Sequence, residues 1–467
     1  MENKRATWGS TFGFLMAAVG SAVGLGNIWG FPYKMGAGGG FAFLVIYIAL
    51  AVFVGFVAML SEFALGRKTG RGVIATYQIL SKKFKWIGWL GAISPFLIMT
   101  FYSVLGGYCI KYMVISLGDL LGAGFGSAGL TGETVFGNML ANGWEAVIYT
   151  AVFVILTAWI VMGGIKGGIE KFTAIAMPAL FVMLCIVIVR SVTLPGAVEG
   201  LKFMFVPNFT PLKENFIGVL ASAGGQMFFS LSLGMGAMIT YGSYLNKKEN
   251  LEKNALMVVC SDTLVALMAG LAVLPAAHAL GGEGAAMAGP KLLFVTLQDV
   301  FSAMGKLGAA FGLVFYTLVF IAAITSSISL VEVITAHFAD RAEEQGKKSK
   351  RKKYTVLVSL AIMLPACIVA LDGLGTTGLW QPLGLCWLDF MDLWSEGIMM
   401  PLGVMLMSFF VLYELKLPAL REEIAQEGNR FRTEKFCRFS LRFVIPPAML
   451  LIIAGMLDSI FGLGLFG

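Results

Sequence analysis

Glycine falls at positions 20, 24 and 26, in the middle of an apolar stretch that runs from about Phe12 to Pro32. Glycine costs a helix interior ~1 kcal/mol per position against alanine, so Gly20-Ser-Ala-Val-Gly-Leu-Gly-Asn27 is a poor helix. In a bilayer, backbone that leaves the helix must line a protein-buried or watery cavity, because its N–H and C=O groups find no partner in lipid. Freed carbonyls at such a break can hold a cation, and the half-helix N-terminus behind it can hold an anion. A second break of this kind stands at Ser230-Leu-Ser-Leu-Gly-Met-Gly236. Two interrupted spans in corresponding positions of two halves point to a binding site at mid-membrane.

The rest of the composition agrees with a membrane chain. Of 467 residues, 58% are hydrophobic and 13% charged, which excludes an ordinary soluble globule. Met1–Trp8 is charged and short, and no cleavable leader is read. The six cysteines have neither metal nor disulfide spacing and read as small packing residues. Eleven spans are expected, at 11–36, 41–66, 87–118, 144–162, 170–191, 216–243, 254–281, 307–339, 354–371, 386–415 and 439–464. With the N-terminus inside, 27 of the 34 Lys and Arg fall in inner segments. The net charge of +7 is therefore the positive-inside signal of a multi-pass plasma-membrane protein, and no nucleic-acid footprint. An odd count puts the C-terminus outside. The connection 282–306 is partly amphipathic and reads as a re-entrant lid.

Spans 1–5 and 6–10 read as two repeats. Five is odd, so the second must be inverted, which makes the two glycine breaks equivalent. The chain is then one all-α transmembrane domain. Residues 1–191 are its first repeat, 216–415 its inverted second repeat and 439–464 an extra helix.

Gly20-Ser-Ala-Val-Gly-Leu-Gly-Asn-Ile-Trp-Gly-Phe-Pro-Tyr33 resembles the first-span signature of the neurotransmitter:sodium symporters. So do Ser61-Glu-Phe-Ala-Leu-Gly-Arg67, Phe101-Tyr102, Phe228-Phe-Ser-Leu-Ser-Leu-Gly-Met-Gly236, Ile324-Thr-Ser-Ser327 and Phe390-Met-Asp-Leu-Trp394. The matches run in order over spans 1–10 and are nearest to the bacterial amino-acid branch, some of whose members have eleven helices. The resemblance implies a 5+5 inverted-repeat transporter fold with unwound helices 1 and 6, working by alternating access without a cofactor.

It also implies two sodium ions as coupling ions. The first site would use the Ala22 carbonyl, Asn27, Ser230 and Asp262 with the substrate carboxylate. The second would use the Gly20, Val23 and Ala322 carbonyls with the Thr325 and Ser326 hydroxyls. Oxygen ligands are what hard cations take. The substrate carboxylate would lie by Gly24, Leu25, Gly26 and Tyr102. Its ammonium would meet Phe229, Ser230 and Ser326. Its side chain would enter a pocket made by Ile98, Tyr102, Phe229, Ser232, Met235, Ser329 and Leu330, and Ala22 and Phe228 complete the substrate-binding set.

The family's amine carriers hold an Asp where this chain has Gly24. A glycine leaves room for a substrate's own carboxylate, so an amino acid is favoured over an amine or osmolyte, which is the second reading. The flexible thioether of Met235 favours large hydrophobic or aromatic side chains. Asp262 would supply the negative charge that chloride supplies elsewhere in the family, so transport should be chloride-independent.

Arg5 and Asp340 match a cytoplasmic gate pair, supported by Trp8, Tyr244 and Glu332. Asp392 matches the outer gate carboxylate. Position 30, where an arginine usually answers it, is Gly30, and Lys34 one turn on stands in as partner. Pro178 and Gly168 mark a place where span 5 can unwind. A channel would want a continuous polar pore, and an intramembrane enzyme a Ser/His pair or carboxylate dyad. Neither pattern is present, so the chain is not read as an enzyme. Its partners are an amino acid, sodium and the lipid bilayer, and it is expected as a monomer or weak oligomer.

Overall fold

A computed structural model of the protein describes residues 6–127, 129–285, 290–347 and 349–464, leaving out the side chains of 280–285. The first break separates α1 (Thr11–Ala22) from α2 (Gly26–Ala37), which are bent by 48° to each other. Then follow α3 (Phe41–Thr69), α4 (Lys85–Leu121), α5 (Gly143–Met162) and α6 (Ile165–Val192). The second break separates α7 (Phe216–Leu231) from α8 (Ala237–Gly242). The chain continues as α9 (Leu251–Ala285), α10 (Gly305–Glu344), α11 (Arg351–Asp372), α12 (Trp387–Leu415) and α13 (Glu434–Phe461).

Among the described residues nine helices are long and apolar enough to cross a bilayer, and α1 with α2 makes a tenth. Neither α7, with 16 residues, nor α8, with 6, reaches across alone. Together they fill the position of the sixth expected span.

Each break has its own backbone device. Helix α1 stops because Val23 turns extended (φ −74°, ψ 101°), while its N–H still reaches the Val19 carbonyl at 2.6 Å. At the second break Ser232, Gly234 and Gly236 are all left-handed, with φ of 54°, 76° and 71°. Glycine takes this conformation without strain. Ser232, which has a Cβ, holds it within a helix-ending turn whose N–H groups at 232 and 233 bond back to Phe228 and Phe229.

The most extensive interface joins α4 to α10, and α5 and α11 pack on both, giving a four-helix block. Helices α1, α3, α8 and α9 pack among themselves, and α13 lies against α7 and α12. The site lies where the breaks meet the α4–α10 pair. In the amphipathic stretch, residues 292–303 are helical, with Leu293, Leu297 and Val300 buried against α9 and α10. The part of the expected lid at 286–289 lies outside the described residues. Pro178 lies inside a continuous helix. The irregularity expected nearby is the π-helical turn Ile165–Glu170, preceded by Gly164 at φ 78°.

One ion pair fastens the helix Leu417–Ile424 to α3. Arg67 Nε donates to Glu423 Oε1 at 2.7 Å, and the two side chains are 0% and 1% exposed. Lys247 Nζ joins them at 2.8 Å. Removing one partner of a buried pair leaves an uncompensated charge, at ~3–5 kcal/mol. Glu423→Ala should therefore lower the unfolding temperature of the purified protein markedly. Glu422→Ala, which removes a largely exposed partner of Lys68, should leave it within a degree or so. Equal shifts in the two variants would refute this role for the pair.

Candidate ion and substrate site

The first break exposes carbonyls toward α10. Ser326 Oγ, on α10, stands 3.3 Å from the Gly20 carbonyl, 3.1 Å from Ser21 and 3.4 Å from Val23. One hydroxyl proton can serve only one of three acceptors, so the nest has an excess of oxygen lone pairs. Thr325 Oγ1 adds another oxygen beside it, 2.9 Å from the Ile321 carbonyl and 3.1 Å from that of Ala322, either of which can take its proton. The set is all oxygen and carries no charge of its own, which suits a monovalent cation. The backbone at Gly20 must come close, since a Cβ there would lie 3.2 Å from Thr325 Cβ.

A second cluster surrounds Asp262 on α9, which is completely buried. Asn27 Nδ2 donates to its Oδ1 at 2.7 Å, Ser230 Oγ lies 2.8 Å from Oδ2, and Tyr47 Oη donates to Oδ2 at 3.2 Å. Asn27 Oδ1 in turn accepts from Gly24 N–H at 3.0 Å. Gln226 Nε2 donates to the Gly26 carbonyl at 2.8 Å, which fixes the far side of the break.

Between the clusters lies a small cavity lined by Ser21, Ala22, Gly24, Gly26, Ile98, Tyr102, Phe229, Ser232, Met235, Ser326 and Leu330. Ten of these eleven belong to the expected substrate and ion sets, and Ser21 is added. Leu25, Phe228, Ser230 and Ser329 stand behind it. Leu25 N–H donates to Tyr102 Oη at 3.0 Å, Phe228 is buried core and Ser230 belongs to the Asp262 cluster. Ser329 Oγ accepts from Ser21 Oγ at 2.7 Å. The Tyr102 and Phe229 ring centroids lie 6.1 Å apart, with the rings tilted by 55°. A Cβ at Gly24 would lie 2.5 Å from Ser326 Oγ and 2.6 Å from Tyr102 Oη, and one at Gly26 would lie 2.6 Å from the Phe229 ring. Both glycines are therefore required by close approach.

The gates differ from expectation. Lys34 does not pair with Asp392. Its Nζ is bonded to Glu396, one turn further along α12, and Asp392 lies against Glu396. Glu396 points toward α7, with Oε1 2.9 Å from where a Gly225 Cβ would be, and that places it nearer to α2. Gly30 has a steric reason, since a Cβ there would lie 2.7 Å from Gln226 Oε1. Arg5 lies outside the described residues. Asp340 accepts from Gly72 N–H at 2.7 Å and from Arg71 at 3.4 Å. Trp8 Nε1 donates to the Tyr241 carbonyl at 3.1 Å, and Tyr244 Oη to Glu332 at 2.7 Å. Arg351 forms a bidentate pair with the same buried Glu332. Sequence reasoning missed Glu396 and Arg351. The first carried a signal, a carboxylate four residues after Asp392. The second did not, because it lies on another helix.

A helical membrane carrier with two broken spans around a shared polar centre is the class that this geometry defines. The family model of the sodium:neurotransmitter symporter family matches residues 5–125 and 135–461. A sodium-dependent transporter of Bacillus subtilis is 34% identical over 463 residues, 98% of each chain. One from Haemophilus influenzae is 33% identical over 97% of this chain and 98% of its own. The crystal structure of MhsT in complex with L-phenylalanine superposes with a TM-score of 0.87 at 35% identity, covering 97% of this chain and 100% of that one. The chain belongs to the sodium:neurotransmitter symporter family. It is a multi-pass membrane protein that transports by sodium-coupled symport, and it is no enzyme.

The tight approach at Gly24 gives a direct test. Gly24→Ala should weaken sodium-dependent amino-acid binding by roughly five- to 150-fold, the effect of 1–3 kcal/mol of overpacking. Gly137→Ala, with no atom within 4 Å of the added methyl, should leave it unchanged. Equilibrium binding by calorimetry or scintillation proximity reads both, and wild-type affinity in Gly24→Ala would remove Gly24 from the site.

Proposed function

We propose that this protein imports amino acids with large hydrophobic or aromatic side chains, together with two sodium ions and without chloride. The observation that carries the reading is Gly24. No acid is among the residues that line the cavity to pair with an amine, and the Ser326 and Tyr102 hydroxyls crowd the place where a side chain at position 24 would be. A substrate that brings its own carboxylate fits there, met by Tyr102 Oη and the amides of the first break. It would complete the coordination of a sodium ion held by the Ala22 carbonyl, Asn27, Ser230 and Asp262. A second ion would occupy the oxygens around Ser326. The phenylalanine bound in MhsT and the neutral amino acid carried by the mouse transporter B(0)AT3, 31% identical over 58% of this chain, support the substrate class. The Lys and Arg distribution supports a cytoplasmic N-terminus and an extracellular C-terminus. The second reading, an amine or osmolyte carrier, lacks a counter-charge in the pocket.

Coupling follows from electrostatics. A buried carboxylate without a cation is costly, and a cation without an anion is costly too. Asp262 and the substrate carboxylate each lower the cost of the sodium ion between them, and by linkage sodium tightens the substrate.

Uptake into proteoliposomes tests the substrate class. Phenylalanine and tryptophan should compete as well as leucine, only with sodium present, and Met235→Phe should selectively lose the largest of them. Equal losses across small and large amino acids would refute the pocket. The chloride question has its own test. Wild-type uptake should be the same in chloride and gluconate, and Asp262→Asn should lose uptake in gluconate and regain part of it in chloride. Wild-type uptake that fails in gluconate would overturn the role given to Asp262.

A further inference from the structure

The start of α1 is held by a carboxylate from another helix. Glu170 closes the π-helical turn Ile165–Glu170 that opens α6. Gly9 N–H donates to its Oε2 at 2.7 Å, and Ser10 Oγ donates to its Oε1 at 3.0 Å. Ser10 is itself the N-cap of α1, accepting from Gly13 N–H at 2.9 Å. Glu170 therefore sets a negative charge over the N-terminal end of α1, where the helix dipole favours it. The fit needs two glycines. A Cβ at Gly9 would lie 3.0 Å from Oε1, and one at Gly13 would overlap the carboxyl group.

Both partners of this contact are weakly built. Gly163, Gly164, Gly167 and Gly168 precede Glu170, which makes the start of α6 its least helix-favouring stretch. The turn closes only because Gly163 and Gly168 touch, since a Cβ at Gly163 would lie 2.8 Å from Gly168 Cα. Helix α1 has 12 residues before its break, too few to be stable by itself. It carries the Gly20, Ser21 and Val23 carbonyls that surround Ser326.

We infer that Glu170 is the positioning residue through which unwinding at the start of α6 releases α1. While the turn is formed, the carboxylate holds the start of α1 and so keeps its carbonyls on Ser326. When the turn unwinds, Glu170 is carried off, α1 loses its outer cap, and the half-helix is free to swing and open the site. The inference rests on the alternating-access reading above. Thr11 Oγ1, which donates to Glu249 at 2.7 Å, ties α1 to the segment before α9 rather than to Glu170, so it serves as a control.

Hydrogen–deuterium exchange on the purified full chain in sodium separates this coupling from simple capping. Glu170→Gln should speed exchange of amides 9–17 by about fivefold, the effect of losing one cap, and Glu170→Asp should restore part of the protection. Gly13→Ala should speed it too, although alanine favours a helix, because its methyl expels the carboxylate. Thr11→Ala should leave exchange at 163–172 unchanged. Gly167→Ala, whose methyl meets no atom within 4 Å, stiffens the turn. It should slow exchange at both 163–172 and 9–17 in the wild-type background, but only at 163–172 in the Glu170→Gln background. Protection of 9–17 by Gly167→Ala in both backgrounds or in neither, or slower exchange in Gly13→Ala, would overturn the inference. Sodium-dependent phenylalanine binding, read in parallel on the wild type, reports on the substrate reading separately: its absence would sink that reading and leave the exchange result standing.

Discussion

Every backbone group released by the two helix breaks needs a partner, because lipid supplies none. The structure answers many of them with side chains, most of them from other helices. Ser232 Oγ takes the Ser21 carbonyl at 2.7 Å, Gln226 takes Gly26, and Ser326 sits among three carbonyls at once. On the donor side, Glu62 accepts Gly234 N–H at 2.7 Å, and Asn27 and Tyr102 accept the amides of Gly24 and Leu25. The groups that make the breaks tolerable are thus the groups that can hold an ion or a zwitterion. Binding and fold stability draw on the same hydrogen bonds, and a ligand that enters takes over partners the protein already had to provide.

The same economy governs the buried acids. Asp262, Glu332, Glu396 and Glu423 are each at most 4% exposed, and each is bonded to a residue of a different segment. An isolated charge at that depth would cost several kcal/mol. Each carboxylate therefore demands that its partner helix stay in place. Asp262 differs from the other three in having only neutral donors around it, Asn27, Ser230 and Tyr47. It is the one among these four whose environment lacks a fixed cation, which leaves room for a mobile one.

Much of this was legible in the sequence for a physical reason. A glycine-broken apolar stretch has few other uses, and the positive-inside pattern is a thermodynamic signal spread over many loops, so helix order and the two breaks could be read without coordinates. Partner choice could not be read. Lys34 was assigned to Asp392 from the spacing on α2 alone, but the choice is made by the rotation of α12, which brings Glu396 to face α7 and α2. Arg351 reaches Glu332, and Arg71 reaches Asp340, across helix pairs whose register no local pattern records. Likewise Gly24 and Gly26 announced a break, while the reason a side chain is barred there, Ser326 and Tyr102 at one and Phe229 at the other, lies on distant helices.

The contacts on the two sides of the site differ in kind. Toward α2, Lys34 pairs with Glu396, the lysine side chain 20% exposed and the carboxylate buried. Toward the start of α1, the contacts are many and mixed: Trp8 packs edge-on against Phe14 and Tyr241, its N–H holds the Tyr241 carbonyl, and Glu332 is shared by Tyr244 and Arg351. Separating Lys34 from Glu396 leaves the buried Glu396 carboxylate without its cation, at ~3–5 kcal/mol, and unpacking buried aromatic rings forfeits apolar burial of roughly 2–3 kcal/mol for each. The contact toward α2 turns on a single lysine side chain that water already reaches. The side toward the start of α1 needs a step that removes several contacts together, and moving α1 as a unit does so, because Trp8 and Phe14 belong to that half-helix or the segment leading into it.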